Sequence, residues 1–123
     1  MASSTNTSAT IIKEPLNDTN YGSWKFKIQL ILEDRGLWGY VDGSIPQPVK
    51  PEELPAWKIK DGQAKAQIGL NVGDDQSIHV RGCKTSKEAW DALATIFEQK
   101  GLNSRVFLFR QLWTLLLRTM HAS

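Results

Sequence analysis

Cysteine and histidine are scarce in this 123-residue chain, and their scarcity excludes several chemistries. Cys83 stands alone, so no internal disulfide can form and no zinc knuckle needing two or more cysteines can be built. A reducing, intracellular, cytoplasmic setting is expected, with the nucleus left open. The N-terminus (Met-Ala-Ser-Ser-Thr-Asn-Thr-Ser) lacks the basic and apolar regions of a signal peptide. Ala2 occupies the position where N-myristoylation requires glycine. No apolar run approaches the roughly 20 residues of a membrane span. No glycine-rich phosphate loop of the Walker or dinucleotide type is present. Basic and acidic residues number 15 and 13, a net charge of +2, too balanced to argue for nucleic acid alone.

Catalytic sets are equally thin. His79 and Cys83 lie four residues apart and would share a helix face only if helix persisted through Gly82, so a loop cysteine and a surface histidine are expected. Asp74 and Asp75 lack companion ligands and read as a helix terminus. No enzyme activity, cofactor, metal or small-molecule substrate is expected.

What the chain has in plenty is tryptophan, five of them: Trp24, Trp38, Trp57, Trp90 and Trp113. Such large anchors require a packed core, an adhesive surface, or both. Hydrophobic residues make up 41% of the chain, which is enough for one globular core.

Periodicity predicts an all-α fold of about five helices. Residues 1–10, uncharged and rich in Ser and Thr, read as a disordered tail, and 11–19 as an extended lead-in. A first helix over 20–35 is predicted from Asn20 as N-cap, the stripe Tyr21, Trp24, Ile28, Ile31 and Leu32, and Gly36 as terminator. Residues 37–43 form an apolar turn, with Trp38 as its plug. Pro46, Pro48 and Pro51 make the next stretch a non-helical linker. The following helix starts between Glu52 and Pro55, carries Trp57, Asp61, Ala64, Ile68 and Val72 inward, and ends at Gly73-Asp74-Asp75. Asp61 on that stripe is expected to be a buried carboxylate that caps a neighbouring element.

A short element spans 76–81. Thr85-Ser86-Lys87-Glu88 reads as a capping box opening a helix with Ala89, Trp90, Leu93, Ile96 and Phe97 inward. Gly101 is expected to end it, and a last helix runs from about Leu102 to Met120.

The order of these motifs is more specific than any one of them. Asn20-Tyr21-x-x-Trp24, Leu37-Trp38, Val41-Asp42-Gly43, a proline-rich stretch and Trp57-x-x-x-Asp61 come first. Thr85-Ser86-Lys87-Glu88-Ala89-Trp90-x-x-Leu93, Phe97-Glu98 and Leu108-x-x-x-Leu112 follow. The series resembles the N-terminal part of the Gag polyprotein of copia-type LTR retrotransposons, from about residue 11 to the end. The resemblance implies a compact helical domain like the N-terminal part of retroviral capsid, over residues 11–123, incomplete relative to full-length Gag. It implies self-association into particles that package RNA, with other Gag chains as partners. The matched residues Asn20, Tyr21, Trp24, Trp38, Trp57, Asp61, Thr85, Glu88, Trp90, Leu93 and Phe97 would then determine the fold. Family members continue into a second helical half, a zinc knuckle and enzymatic domains. The chain is accordingly expected to be a fragment, a truncated copy or a shortened gene product.

The last helix carries apolar residues on more than one face. Leu108, Leu112, Leu115 and Met120 are expected to join the core. Phe107, Phe109, Trp113 and Leu117 either contact a partner or fold back onto the first helix or the lead-in. After Glu98 the chain holds Lys100, Arg105, Arg110 and Arg118 and no acid, a candidate weak RNA-binding surface. A third possibility is a domesticated adaptor gripping a peptide in a tryptophan-lined groove.

Overall fold

The computed structural model describes residues 9–121, with the side chains of 101–104 and of residue 121 excepted. Five α-helices follow in order: α1 (Tyr21–Asp34), α2 (Trp38–Asp42), α3 (Leu54–Gly69), α4 (Asp74–Arg81) and α5 (Ser86–His121). A 3-10 turn at Pro51–Glu53 leads into α3. No strand occurs among the described residues, and an isolated parallel bridge joins Leu16 to Val72. The all-α expectation therefore holds. The first eight residues of the expected tail lie outside the described residues.

α1 begins and ends where its signals lie. Asn20 precedes it without a side-chain capping bond. Its carboxamide instead takes the Asn17 N–H (2.8 Å) and donates to the Pro15 carbonyl (2.9 Å), locking the turn that delivers the lead-in. At the other end Gly36 adopts φ +71°, a left-handed conformation that glycine enters without a Cβ penalty. The N–H of Gly36 reaches the Glu33 carbonyl and that of Leu37 the Leu32 carbonyl, the two bonds of a Schellman motif. Leu32 and Leu37 are both buried, which supplies the apolar contact that accompanies this motif.

Three boundaries differ from expectation. The apolar turn after α1 is a short helix, α2. It closes on Gly43 (φ +90°), where the Asp42 carboxylate accepts the Ser44 N–H at 2.8 Å. That bond holds the Asp42 carboxyl below its ordinary value of 3.8. α3 stops at Gly69, and Asp74 and Asp75 begin α4 instead of ending α3. Acids suit a helix N-terminus, where exposed N–H groups carry partial positive charge. Gly101 does not end a helix, for α5 is continuous over 36 residues. One mid-helix glycine costs only about 1 kcal/mol against alanine, and α5 contains no proline to stop it.

The chain divides into a unit ending at Leu93 and a second beginning at Ala94. The first contains Ile28 and Leu32 of α1, Val41 of α2, Ala64 and Ile68 of α3, Val80 of α4 and Ala89, Trp90 and Leu93 of α5, all buried. At its centre the Trp24 ring stacks on Trp90 (centroids 5.9 Å apart), and Trp38 meets the same ring edge-on at 5.3 Å. Each such pair contributes about 0.5–1.5 kcal/mol beyond the burial of its area. The Trp24 indole N–H, 2.6 Å from the Asn71 carbonyl, is satisfied inside the core.

Trp57 departs from its expected inward position. It is half-buried, lies 6.0 Å from the Tyr40 ring and donates its indole N–H to the Ile45 carbonyl at 2.9 Å. An indole needs a partner for that proton, and here it pins the proline-rich linker instead of filling the core.

Candidate functional site

Asp61 behaves as its place on the α3 stripe predicts. It is 5% exposed and accepts the Ser86 N–H (3.0 Å) and hydroxyl (2.6 Å). α3 therefore caps the first residue of α5 from outside. The capping box is also formed: the Glu88 N–H donates to Thr85 Oγ1 at 3.1 Å. The return bond is displaced by one residue, since Glu88 Oε1 takes the Lys84 N–H at 3.0 Å.

Two residues that periodicity passed over organise the lead-in. Gln67 exchanges both amide groups with Thr10, accepting its N–H at 2.9 Å and donating to its carbonyl at 2.6 Å. Asn71 accepts the Ile12 N–H at 2.7 Å and donates to the carbonyls of Thr10 and Gln67, both at 2.8 Å. Its own carbonyl takes the Leu16 N–H at 2.9 Å. The overlooked signal was their spacing from Ala64, at positions i+3 and i+7 on the buried stripe.

The possible nucleophile pair does not form. The Cys83 thiol donates to the His79 carbonyl at 3.3 Å, and His79 is exposed. Trp24 and Trp90 are buried against one another and so do not line an open peptide groove.

The second unit carries the candidate interface. The side chains expected to enter the core are exposed: Leu108, Leu112, Leu115 and Met120, as are Phe107, Phe109, Trp113 and Leu117. Nine apolar residues (Val106, Leu108, Phe109, Leu112, Trp113, Leu115, Leu116, Leu117 and Met120) are 38–68% exposed. At about 100° per residue they occupy one arc of about 200°. A surface helix ordinarily presents a stripe of roughly 100°. The expected division into two apolar faces is thus replaced by one broad face. Phe109 and Trp113 stack within it at 6.4 Å. Within it the Thr119 hydroxyl returns to the Leu115 carbonyl at 2.9 Å, which removes a polar demand from the surface.

The remaining side of α5 is polar. Arg110, Gln111, Thr114 and Arg118 share it with Phe107, which is thereby separated from the other three candidate interface residues. Arg105 falls opposite, by helical spacing. Lys100 lies over the Phe97 ring, 5.1 Å from its centroid, and Phe97 is itself buried. The four candidate RNA-binding cations therefore do not form one cluster. No helix among the described residues is long and apolar enough to cross a membrane.

A small all-α domain with an unusually wide apolar helix face is the class these features define. Comparison with known proteins gives the family. A model described as the gag-polypeptide of LTR copia-type matches residues 28–119, and a second copia-type Gag model matches residues 2–49. The chain belongs to the copia-type Gag polypeptide family. It is also 26% identical over 100 residues to the retrovirus-related Pol polyprotein from transposon TNT 1-94 of Nicotiana tabacum. That match covers 80% of this chain and 7% of the relative, so the chain spans a small part of that polyprotein's length. No solved structure matches it significantly.

Proposed function

We propose that this chain is a non-enzymatic, cytoplasmic structural domain that associates with further copies of itself through the C-terminal half of α5. The broad apolar arc is the observation that carries this reading. Its nine residues expose on the order of 1,000 Å², beyond the roughly 300–600 Å² of the largest patch on an ordinary monomer. One partner in a standard interface buries about 800 Å². The width of the arc also bears on stoichiometry. A two-stranded coiled coil hides two positions in seven, whereas a face of about 200° needs a neighbour on each flank. Assemblies of three or more chains follow.

Sedimentation equilibrium over about 1–100 μM tests the reading. A mass of three or more chains supports it, and a monomer throughout that range overturns it.

RNA binding is a second reading. Arg110 and Arg118 lie beside Phe107 on the side of α5 that assembly would leave open. Titration of labelled single-stranded RNA at two salt concentrations tests it, because phosphate contacts must weaken as salt rises.

A further inference from the structure

A groove in the first unit collects positive charge that neither the fold nor the assembly reading uses. Lys58 and Lys65 of α3 line it on one side and Lys84, just before α5, on the other, around a cavity of about 490 Å³. We propose that this groove binds a phosphate group carrying two or more negative charges.

The argument begins with spacing. Lys58 and Lys65 stand seven residues apart, two helical turns, so both ammonium stems rise from the same face of α3. Gly62 lies between them on the groove wall, and a Cβ built there meets nothing within 4 Å. A glycine in mid-helix costs about 1 kcal/mol against alanine. Here no protein atom uses the space it leaves, and that space is open to a ligand.

The charges are unbalanced. Among the described residues, no carboxylate forms an ion pair with Lys58, Lys65 or Lys84, whereas Lys87 nearby pairs with Asp91 at 2.6 Å. Asp61 is the acid among the groove's lining residues, its Oδ1 held by Ser86, so three ammonium groups face a single carboxylate; Glu88 takes the Lys84 main-chain N–H. The Lys65 ammonium donates to the Cys83 carbonyl, which fixes it at the groove and leaves two of its three hydrogens to donate. A cleft with an excess of one sign of charge concentrates counter-ions of the other.

Donor number selects the anion. Three ammonium groups approach from two sides, and the amide of Gln47 and the hydroxyl of Thr85 also line the cavity. The Thr85 oxygen already accepts the Glu88 N–H, so its hydrogen remains free to donate. A carboxylate offers two oxygens to such a set, and a terminal phosphate offers three. The terminal phosphate of a free polyphosphate meets this requirement, whereas a phosphodiester of a nucleic-acid backbone presents two such oxygens and one charge.

Isothermal titration calorimetry of the full chain with sodium tripolyphosphate is the test, run at 50 and 200 mM NaCl. Saturable binding that weakens at least threefold at the higher salt is expected. The double variant Lys58→Ala/Lys84→Ala changes only exposed side chains and should bind at least tenfold more weakly. Lys27→Ala, on the exposed surface of α1, should bind as the parent does. A second titration uses a single-stranded RNA decamer without terminal phosphate. Binding of tripolyphosphate without binding of this RNA is expected. RNA binding with the same dependence on Lys58 and Lys84 would show that singly charged diesters suffice and overturns the proposal, as does no saturable heat with tripolyphosphate or equal binding by the double variant. These outcomes are independent of sedimentation mass, so this site and the assembly reading fail separately.

Discussion

The carboxylate of Asp61 receives both the main-chain N–H and the hydroxyl of Ser86, although 25 residues separate them. Ser86 is fully buried. One acidic side chain therefore fixes where α5 starts and how α3 lies beside that start.

Replacing Asp61 with alanine strands the buried Ser86 N–H and leaves the Ser86 hydroxyl only the Tyr40 carbonyl, at 3.3 Å. A loss of about 1–3 kcal/mol is expected, the cost of an unsatisfied buried donor. Asp61→Asn keeps one acceptor oxygen and should lose less. Urea denaturation followed by circular dichroism measures both, and an Asp61/Ser86 double-mutant cycle should show clear non-additivity.

Asn71→Ala removes the acceptor of the Ile12 N–H and two donated bonds. It should destabilise by about 2–3 kcal/mol, by the same orphaned-group argument. Gln67→Ala should cost less, since Asn71 still holds the Thr10 carbonyl. Limited proteolysis should cut both variants between residues 10 and 16 faster than the parent chain.

Trp90 contacts both Trp24 and Trp38, and Trp90→Ala should cost about 3–5 kcal/mol through the cavity it leaves. Trp24→Phe keeps much of the ring packing but leaves the Asn71 carbonyl one donor short. A smaller loss of about 1–2 kcal/mol is expected from thermal or urea unfolding.

Trp113→Ala and Leu112→Asp act on exposed residues. Neither should lower the melting temperature of the first unit, and both should reduce the sedimentation mass. A large thermal destabilisation with unchanged mass would return Trp113 to the core.

Asp42 should titrate below 3.8, because its charged form accepts the Ser44 N–H. A depressed folded value means that the contribution is present above the unfolded pKa and is lost as pH falls through the folded one. The carboxylate is fully exposed, so the effect on stability is small. A carbon-detected NMR titration of Asp42 measures it, and Ser44→Pro, which lacks the N–H, should return the value to normal.

Much of the fold was legible because its signals were local. Gly36, the stripe of α1 and the Thr85–Glu88 box each act within a few residues, and inward Asp61 followed from its place on the α3 stripe; the structure contains each of them. What escaped depended on distant partners. Gln67 and Asn71 are polar, so periodicity assigned them no place in the interior, yet the main chain of the lead-in satisfies them. Trp57 lies on the correct helix but is drawn outward by the Ile45 carbonyl. Gly101 has the identity of a terminator, but a single glycine is too weak to stop a helix flanked by good formers. The apolar residues of the last helix share one face and not two, because about 100° per residue places nine of them within a single arc.

The amides of Gln67 and Asn71 grip residues 10–12 by main-chain atoms alone. Ile11 points outward and is 64% exposed, and beyond the Thr10 hydroxyl, which meets Arg35, the grip reads no side chain. The lead-in is therefore held by shape and not by spelling. A change of side chain at Ile11 leaves the grip intact, whereas a proline at residue 12, which lacks the N–H that Asn71 accepts, takes a bond from it.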